Sequence, residues 1–254
     1  TPTKETICKA DPKSIEIIKP VLRGKDIHKY YYEWAGLWLI FVPWHFPFHN
    51  NIYIQGASKE AEDAFKMQYS GIYNHLLKFK NKLEKRNKTE TCVRYEWYAL
   101  QRCAATYYNE FNKNKIIWPE IGLNGSFTYD TKQFYTSNAC FIMTGENLIY
   151  ILAILNSKLF DFYFNLIASN LSQKANMYFK IYIEQFPIPV YQKTDTTLEL
   201  ERLVNNILKI MPAINSAQIQ KNLTSKVSEY LNRIDTLVYK LYGLNEKDIK
   251  IISE

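Results

Sequence analysis

From about Ser58 to Lys88, Ile72, His75, Leu76, Phe79 and Leu83 recur three and four positions apart, which predicts a helical stretch with one apolar stripe. Upstream the pattern changes. Ser14–Lys19 leads into Pro20-Val21-Leu22-Arg23-Gly24-Lys25-Asp26-Ile27, a short apolar stretch entering a turn at Gly24. Gly36-Leu37-Trp38-Leu39-Ile40-Phe41-Val42 is an unbroken apolar run stopped by Pro43 and predicts a buried strand, whereas Trp44–Asn51 carries the Pro and Asn signals of a loop. Short strands are predicted at Lys115–Trp118, Phe127–Asp130 and Cys140–Met143, separated by the turn formers Gly122, Asn124, Gly125 and Asn138.

Glu146–Ala168 is apolar almost all round and predicts a largely buried helix. Phe186-Pro187-Ile188-Pro189 excludes helix interior and central strand alike and closes a first domain, residues 1–190. Residues 191–254 read as a helical segment. Thr196-Thr197-Leu198-Glu199 offers a capping box for a helix whose stripe, Leu200, Leu203, Val204, Ile207, Leu208 and Met211, ends at Pro212. A second helix carries Leu231, Ile234, Leu237, Val238, Leu241 and Tyr242 and stops at Gly243. Asn245 with Asp248 then signals another N-cap.

Composition adds two biases. Of 254 residues, 15% are aromatic, and 32 Lys and Arg against 25 Asp and Glu leave +7, which favours an anionic partner. The four cysteines include no Cys-x-x-Cys and are too spread for a disulfide scaffold, so reduced thiols and a cytoplasmic setting are expected. No apolar run reaches the length of a membrane span, so no membrane association is expected. A first residue of Thr suggests a piece of a longer protein.

Catalytic signatures are absent from the sequence. The eight glycines never form Gly-x-Gly and no Pro-Pro pair occurs, so neither a nucleotide or S-adenosylmethionine loop nor an adenine methyltransferase's Asn-Pro-Pro-Tyr loop is present. His45 and His49 have metal-ligand spacing, but Pro47 between them prevents a shared helical face. Asp-x-Lys at Asp11, Asp130 and Asp248 lacks the paired acid of a two-metal nuclease. No catalytic residue and no metal ligand is assigned.

Two stretches could hold DNA. Lys78–Lys88 has six basic residues against Glu84; at helical spacing Lys78, Lys82 and Lys85 line one side, while Phe79 and Leu83 turn inward. Lys78, Lys82, Lys85, Arg86 and Lys88 are therefore the candidate phosphate contacts, the bland alternative being a solvated helix face. In Leu171–Tyr178, Gln173, Lys174 and Asn176 are the candidate base readers, against the alternative of a connecting loop. Asn124-Gly125-Ser126 fits a hairpin turn better than a reader, and Gln101-Arg102 has only a weak case.

Six stretches then occur in a familiar order: Pro20–Ile27, Tyr73–Lys80 with Leu83–Arg86, Lys115–Ile121, Phe134–Asn138, Leu155–Leu159 and Phe186–Pro189. From about residue 14 to 190 the chain resembles the TaqI-like specificity domain, the C-terminal target-recognition domain of type IIG restriction-modification enzymes and related adenine-specific DNA methyltransferases. Ile234–Leu244 is similar to the end of such enzymes. The insertion Trp44–Ala57 fits no part of that pattern.

The resemblance implies an α/β (α+β) recognition domain with mixed or antiparallel strands, and C-terminal helices that pack on it or on a partner domain. It implies double-stranded DNA as partner, no catalysis in this part, and a methyltransferase domain of the same parent chain that binds S-adenosylmethionine. A protein-docking module is the alternative from a different class.

Overall fold

The computed structural model describes residues 1–103, 106–168, 170–172, 175–214 and 220–253. The chain divides into two compact units, Thr1–Val21 with Gly36–Asn112, and Leu22–Ala35 with Lys113–Glu254. The fold is α+β.

In the first unit the helix Pro2–Ala10 precedes a 3-10 turn and the strand Ile18–Leu22, which pairs antiparallel with Trp38–Ile40. The helices Lys59–Gln68, Ser70–Leu77 and Lys80–Glu84 follow. Their inner faces share a core with the segment after Lys88, and that core is aromatic: Phe46, Phe65, Tyr69, Tyr73, Tyr95, Trp97 and Tyr98 are all buried in it. Aromatic polar tips need partners when buried, and they find them. Tyr73 and Trp97 both donate to Glu62 Oε1, at 2.9 and 2.7 Å.

In the second unit the strand Lys115–Pro119 pairs antiparallel with Thr128–Asp130 on one side and Cys140–Met143 on the other. Being central, it is buried at all five positions. Strand alternation sends Ile116 and Trp118 to one face, into a core with Phe127, Phe160, Phe164 and the helix Leu148–Leu155. Ile117 goes to the other face, with Leu22, Ile27 and Phe134. The helices Asp195–Ile214 and Gln220–Leu241 complete the first of these cores through Leu200, Leu203, Val204, Ile207, Ile234, Leu237 and Val238.

Several predicted elements are subdivided or shifted. The helix expected over Glu146–Ala168 is two, Leu148–Leu155 and Lys158–Ile167, because Asn156 and Ser157 have other tasks. Ser157 Oγ caps the second helix by accepting from Phe160 N at 3.2 Å. Asn156 clamps Phe127, donating to its carbonyl at 2.9 Å and accepting from its N–H at 3.3 Å. Asp235 Oδ1 accepts from Lys158 N at 2.9 Å, so the Asn156-Ser157-Lys158 stretch is scaffold. The predicted strand Gly36–Val42 shrinks to Trp38–Ile40, half-buried rather than buried.

The capping box lies two residues earlier than expected. Thr194 and Thr197 cap reciprocally through their backbone N–H groups and hydroxyls, while Glu199 pairs bidentately with Arg233. Pro212 falls inside the last turn, where its missing N–H removes only one hydrogen bond, and the helix runs on to Ile214. The N-cap at Asn245 with Asp248 forms as expected. Asn124-Gly125-Ser126 links strands of two different sheets rather than closing a hairpin. At Gly125 a Cβ would lie 3.0 Å from the Phe127 ring and 3.1 Å from Asp161 Oδ1, a tight approach that a side chain could make only if these neighbours gave way.

Candidate nucleic-acid interface

The basic stretch forms an elbow, not one helix. Ser70–Leu77 ends, Lys78 and Phe79 turn, and Lys80–Glu84 resumes. That break corrects one expectation: Phe79 is 45% exposed and lies beside His75 at 5.4 Å between ring centroids, whereas Leu83 packs against the core as predicted. Burial, and then the neighbouring Lys78, hold the His75 imidazole below its ordinary value.

The cations separate into two groups. Lys78, Lys82, Lys85 and Lys88 are exposed, and among the described residues none has an ion-pair partner. They are the charges available to a polyanion. Lys80 is half-buried between Glu84, at 3.6 Å, and the Trp97 ring, at 5.2 Å.

Arg86 turns inward. Its guanidinium donates to the carbonyls of Leu83, Trp97 and Ala99 at 2.8–2.9 Å, fastening the elbow to the following loop, and burial lowers its pKa. This geometry makes Arg86 a brace. Arg86→Ala is therefore expected to lower stability by about 2–3 kcal/mol, read as a denaturant midpoint, while the salt dependence of any DNA binding stays as in wild type.

The braced loop forms one wall of an open cleft. Its lining includes Trp44, His45, His49 and Asn50–Ile52 on one side and Gln101–Cys103 with Tyr107–Asn109 on the other, around a volume of about 750 Å³. The walls are held firmly. Trp44 Nε1 donates to Leu100 O at 2.8 Å, Leu100 N donates to Val42 O, and buried Glu96 binds the backbone N–H groups of His45 and Ser58 and the His45 ring at 3.0 Å. His45 is thus committed to Glu96, and among the described residues no three His, Cys, Asp or Glu side chains gather as a metal site.

Of the predicted base readers, Gln173 and Lys174 lie outside the described residues. Asn176 stands in the strand Ala175–Met177, which pairs with Asn170–Ser172 and with Ile121–Gly122. Its side chain is 9% exposed and donates to Asn165 Oδ1 at 2.7 Å. Sequence reasoning passed over Asn50, Asn51 and Asn109; for the first two the available signal was the polar run in an unmatched insertion, and Asn109 had none.

Fold and site together define a class, an α+β domain with an unpaired cationic edge and a polar, aromatic cleft. The chain belongs to the TaqI-like C-terminal specificity domain family, which it matches over residues 19–188. It is 25% identical over 166 residues to the type II methyltransferase M.MjaIV of Methanocaldococcus jannaschii, covering 63% of this chain and 51% of that protein. Its fold is similar to part of the type IIL restriction-modification enzyme MmeI, solved in complex with DNA, with a TM-score of 0.57 and 14% identity over 95% of this chain and 30% of that one. The chain thus spans about half the length of its curated relative. No described helix is long and apolar enough to cross a membrane.

Proposed function

We propose that this chain selects the DNA sequence for a restriction-modification methyltransferase, without catalysing a reaction itself. Family membership supports the recognition role, and one observation carries the physical argument: four exposed lysines, unpaired among the described residues, on a braced elbow. Such groups release counterions from duplex DNA and position it, while specificity is left to other side chains.

In this reading a methyltransferase domain of the same parent chain holds S-adenosylmethionine and methylates an adenine amino group. Here the chain's own contribution is binding and register. Cytoplasmic location accords with a DNA partner.

The test is a titration of labelled duplex by the protein, in the longest natural form that carries this chain, at several salt concentrations. Affinity is expected to fall with a log–log slope of about −4 or steeper, from roughly micromolar or poorer nonspecific binding at physiological salt. Salt-independent binding, or none at about 50 mM salt, overturns the proposal.

A further inference from the structure

We propose that the two loops facing each other across the cleft, Asn50–Ile54 on one side and Gln101–Cys103 with Tyr107–Asn109 on the other, form a base-reading element whose carboxamides exchange hydrogen bonds with base edges and whose Arg102 donates to them. The inference rests on the DNA-binding reading and adds to it where base identity is sensed.

Three observations carry it. First, the cleft has reading chemistry in excess: Asn50, Asn51, Gln101 and Asn109 each present both a donor and an acceptor, and a guanidinium stands among them. Carboxamides match the adenine edge, and a guanidinium matches the guanine edge.

Second, these groups are not consumed by the fold. Among the described residues the side chains of Asn50, Gln101 and Asn109 make no hydrogen bond, and Asn51 uses only its carbonyl, accepting from Tyr53 N at 3.0 Å. Arg102 is 77% exposed and meets Glu90 only at 3.8 Å, an acid already engaged by Arg94 and Asn87. At the rim Ile52 is 85% exposed and offers the apolar contact that a thymine methyl takes.

Third, among the described residues no carboxylate lines the cleft. With the His45 ring held by Glu96, the walls suit a hydrogen-bonding anion better than a cation. The charge around them agrees: residues 78–102 carry eight Lys and Arg against three Glu. Glu96, Trp44 and Arg86 fix both walls from behind, so the free groups are presented by preorganised backbone, as discrimination between similar ligands requires.

The experiment selects bound duplexes from a randomised pool, using the longest natural form of the protein, with wild type beside Asn50→Ala, Gln101→Ala and Arg102→Ala. All three side chains lie at the surface or in an open cleft, and unchanged thermal melting confirms that the variants fold. Each variant is expected to lose roughly ten- to a hundredfold of base preference at one or two positions of the selected sequence, with the salt slope unchanged.

An identical selected sequence in all three variants overturns the base-reading role while leaving DNA binding intact. So does a uniform loss of affinity in Arg102→Ala with the slope reduced by about one unit, the mark of a phosphate contact. If wild type retains no duplex even at low salt, the DNA reading itself fails and this inference falls with it.

Discussion

Replacing Lys78, Lys82, Lys85 and Lys88 together by alanine is expected to reduce duplex affinity by about three and a half powers of ten at 0.1 M salt. Each lysine that neutralises a phosphate contributes about 0.9 to the log–log slope, so four flatten it by about 3.6. Extrapolated from 1 M, where screening makes variant and wild type nearly alike, that slope becomes a difference of roughly four thousandfold at 0.1 M. The four side chains make no described ion pair and lie at the surface, so the fold is expected to survive within about 0.5 kcal/mol. A quadruple variant that melts like wild type and binds DNA with an unchanged slope would remove the elbow from the interface. An unchanged slope in Arg86→Ala would, by contrast, be the expected result, because its guanidinium is already held by three carbonyls. The separation of Arg86 from its neighbours is a statement about geometry that neither charge nor position along the chain contains.

The same contrast runs through the molecule. Long-range periodicity was legible: the stripe through Ile72, Leu76 and Leu83 and that through Leu200, Leu203, Val204 and Ile207 are core-facing, and the three strands predicted in the second unit form within a residue of where alternation and turn residues place them. Local breaks were less so. Phe79 fits a continuous stripe, but the chain interrupts its helix at Lys78 and Phe79 and turns the ring outward. Leu148–Ile167 is so uniformly apolar that the pattern hides its division, although Asn156-Ser157 is a readable cap once the residue that Asn156 clamps, Phe127, is known. The cleft could not be read from either wall alone, since its loops stand some fifty positions apart and are joined through contacts such as those of Glu96, Trp44 and Leu100. Competition between nearby hydroxyls explains the displaced capping box: Thr194 and Thr197 satisfy one another, leaving Glu199 to Arg233. What pattern specifies is which face is buried. Which polar group finds which partner depends on register and on the third dimension.

The buried pair of Lys115 and Asp130 is the sharpest case, and its disruption is expected to have the largest effect on stability. Both side chains are 0% exposed, and Lys115 Nζ donates to Asp130 Oδ2 at 2.6 Å. Burial lowers the Lys115 pKa, and the hydrogen bond and charge of Asp130 pull it back. Antiparallel register sets the two residues opposite each other at the end of the central strand. Asp130 also accepts from Lys132 N and Phe134 N, each at 2.9 Å, so the carboxylate organises the turn that follows its strand. Lys115→Met removes the cation but leaves the anion in the core, which is expected to cost about 3–5 kcal/mol. For a chain of this size that is a fall in melting temperature of roughly 6–20 °C. Adding Asp130→Asn removes the stranded charge while retaining one oxygen for the turn, so the double variant is expected to be more stable than Lys115→Met alone. A thermal and denaturant double-mutant cycle reads both. If Lys115→Met costs less than about 1 kcal/mol, or the two losses simply add, the pair is not the electrostatic unit its geometry describes.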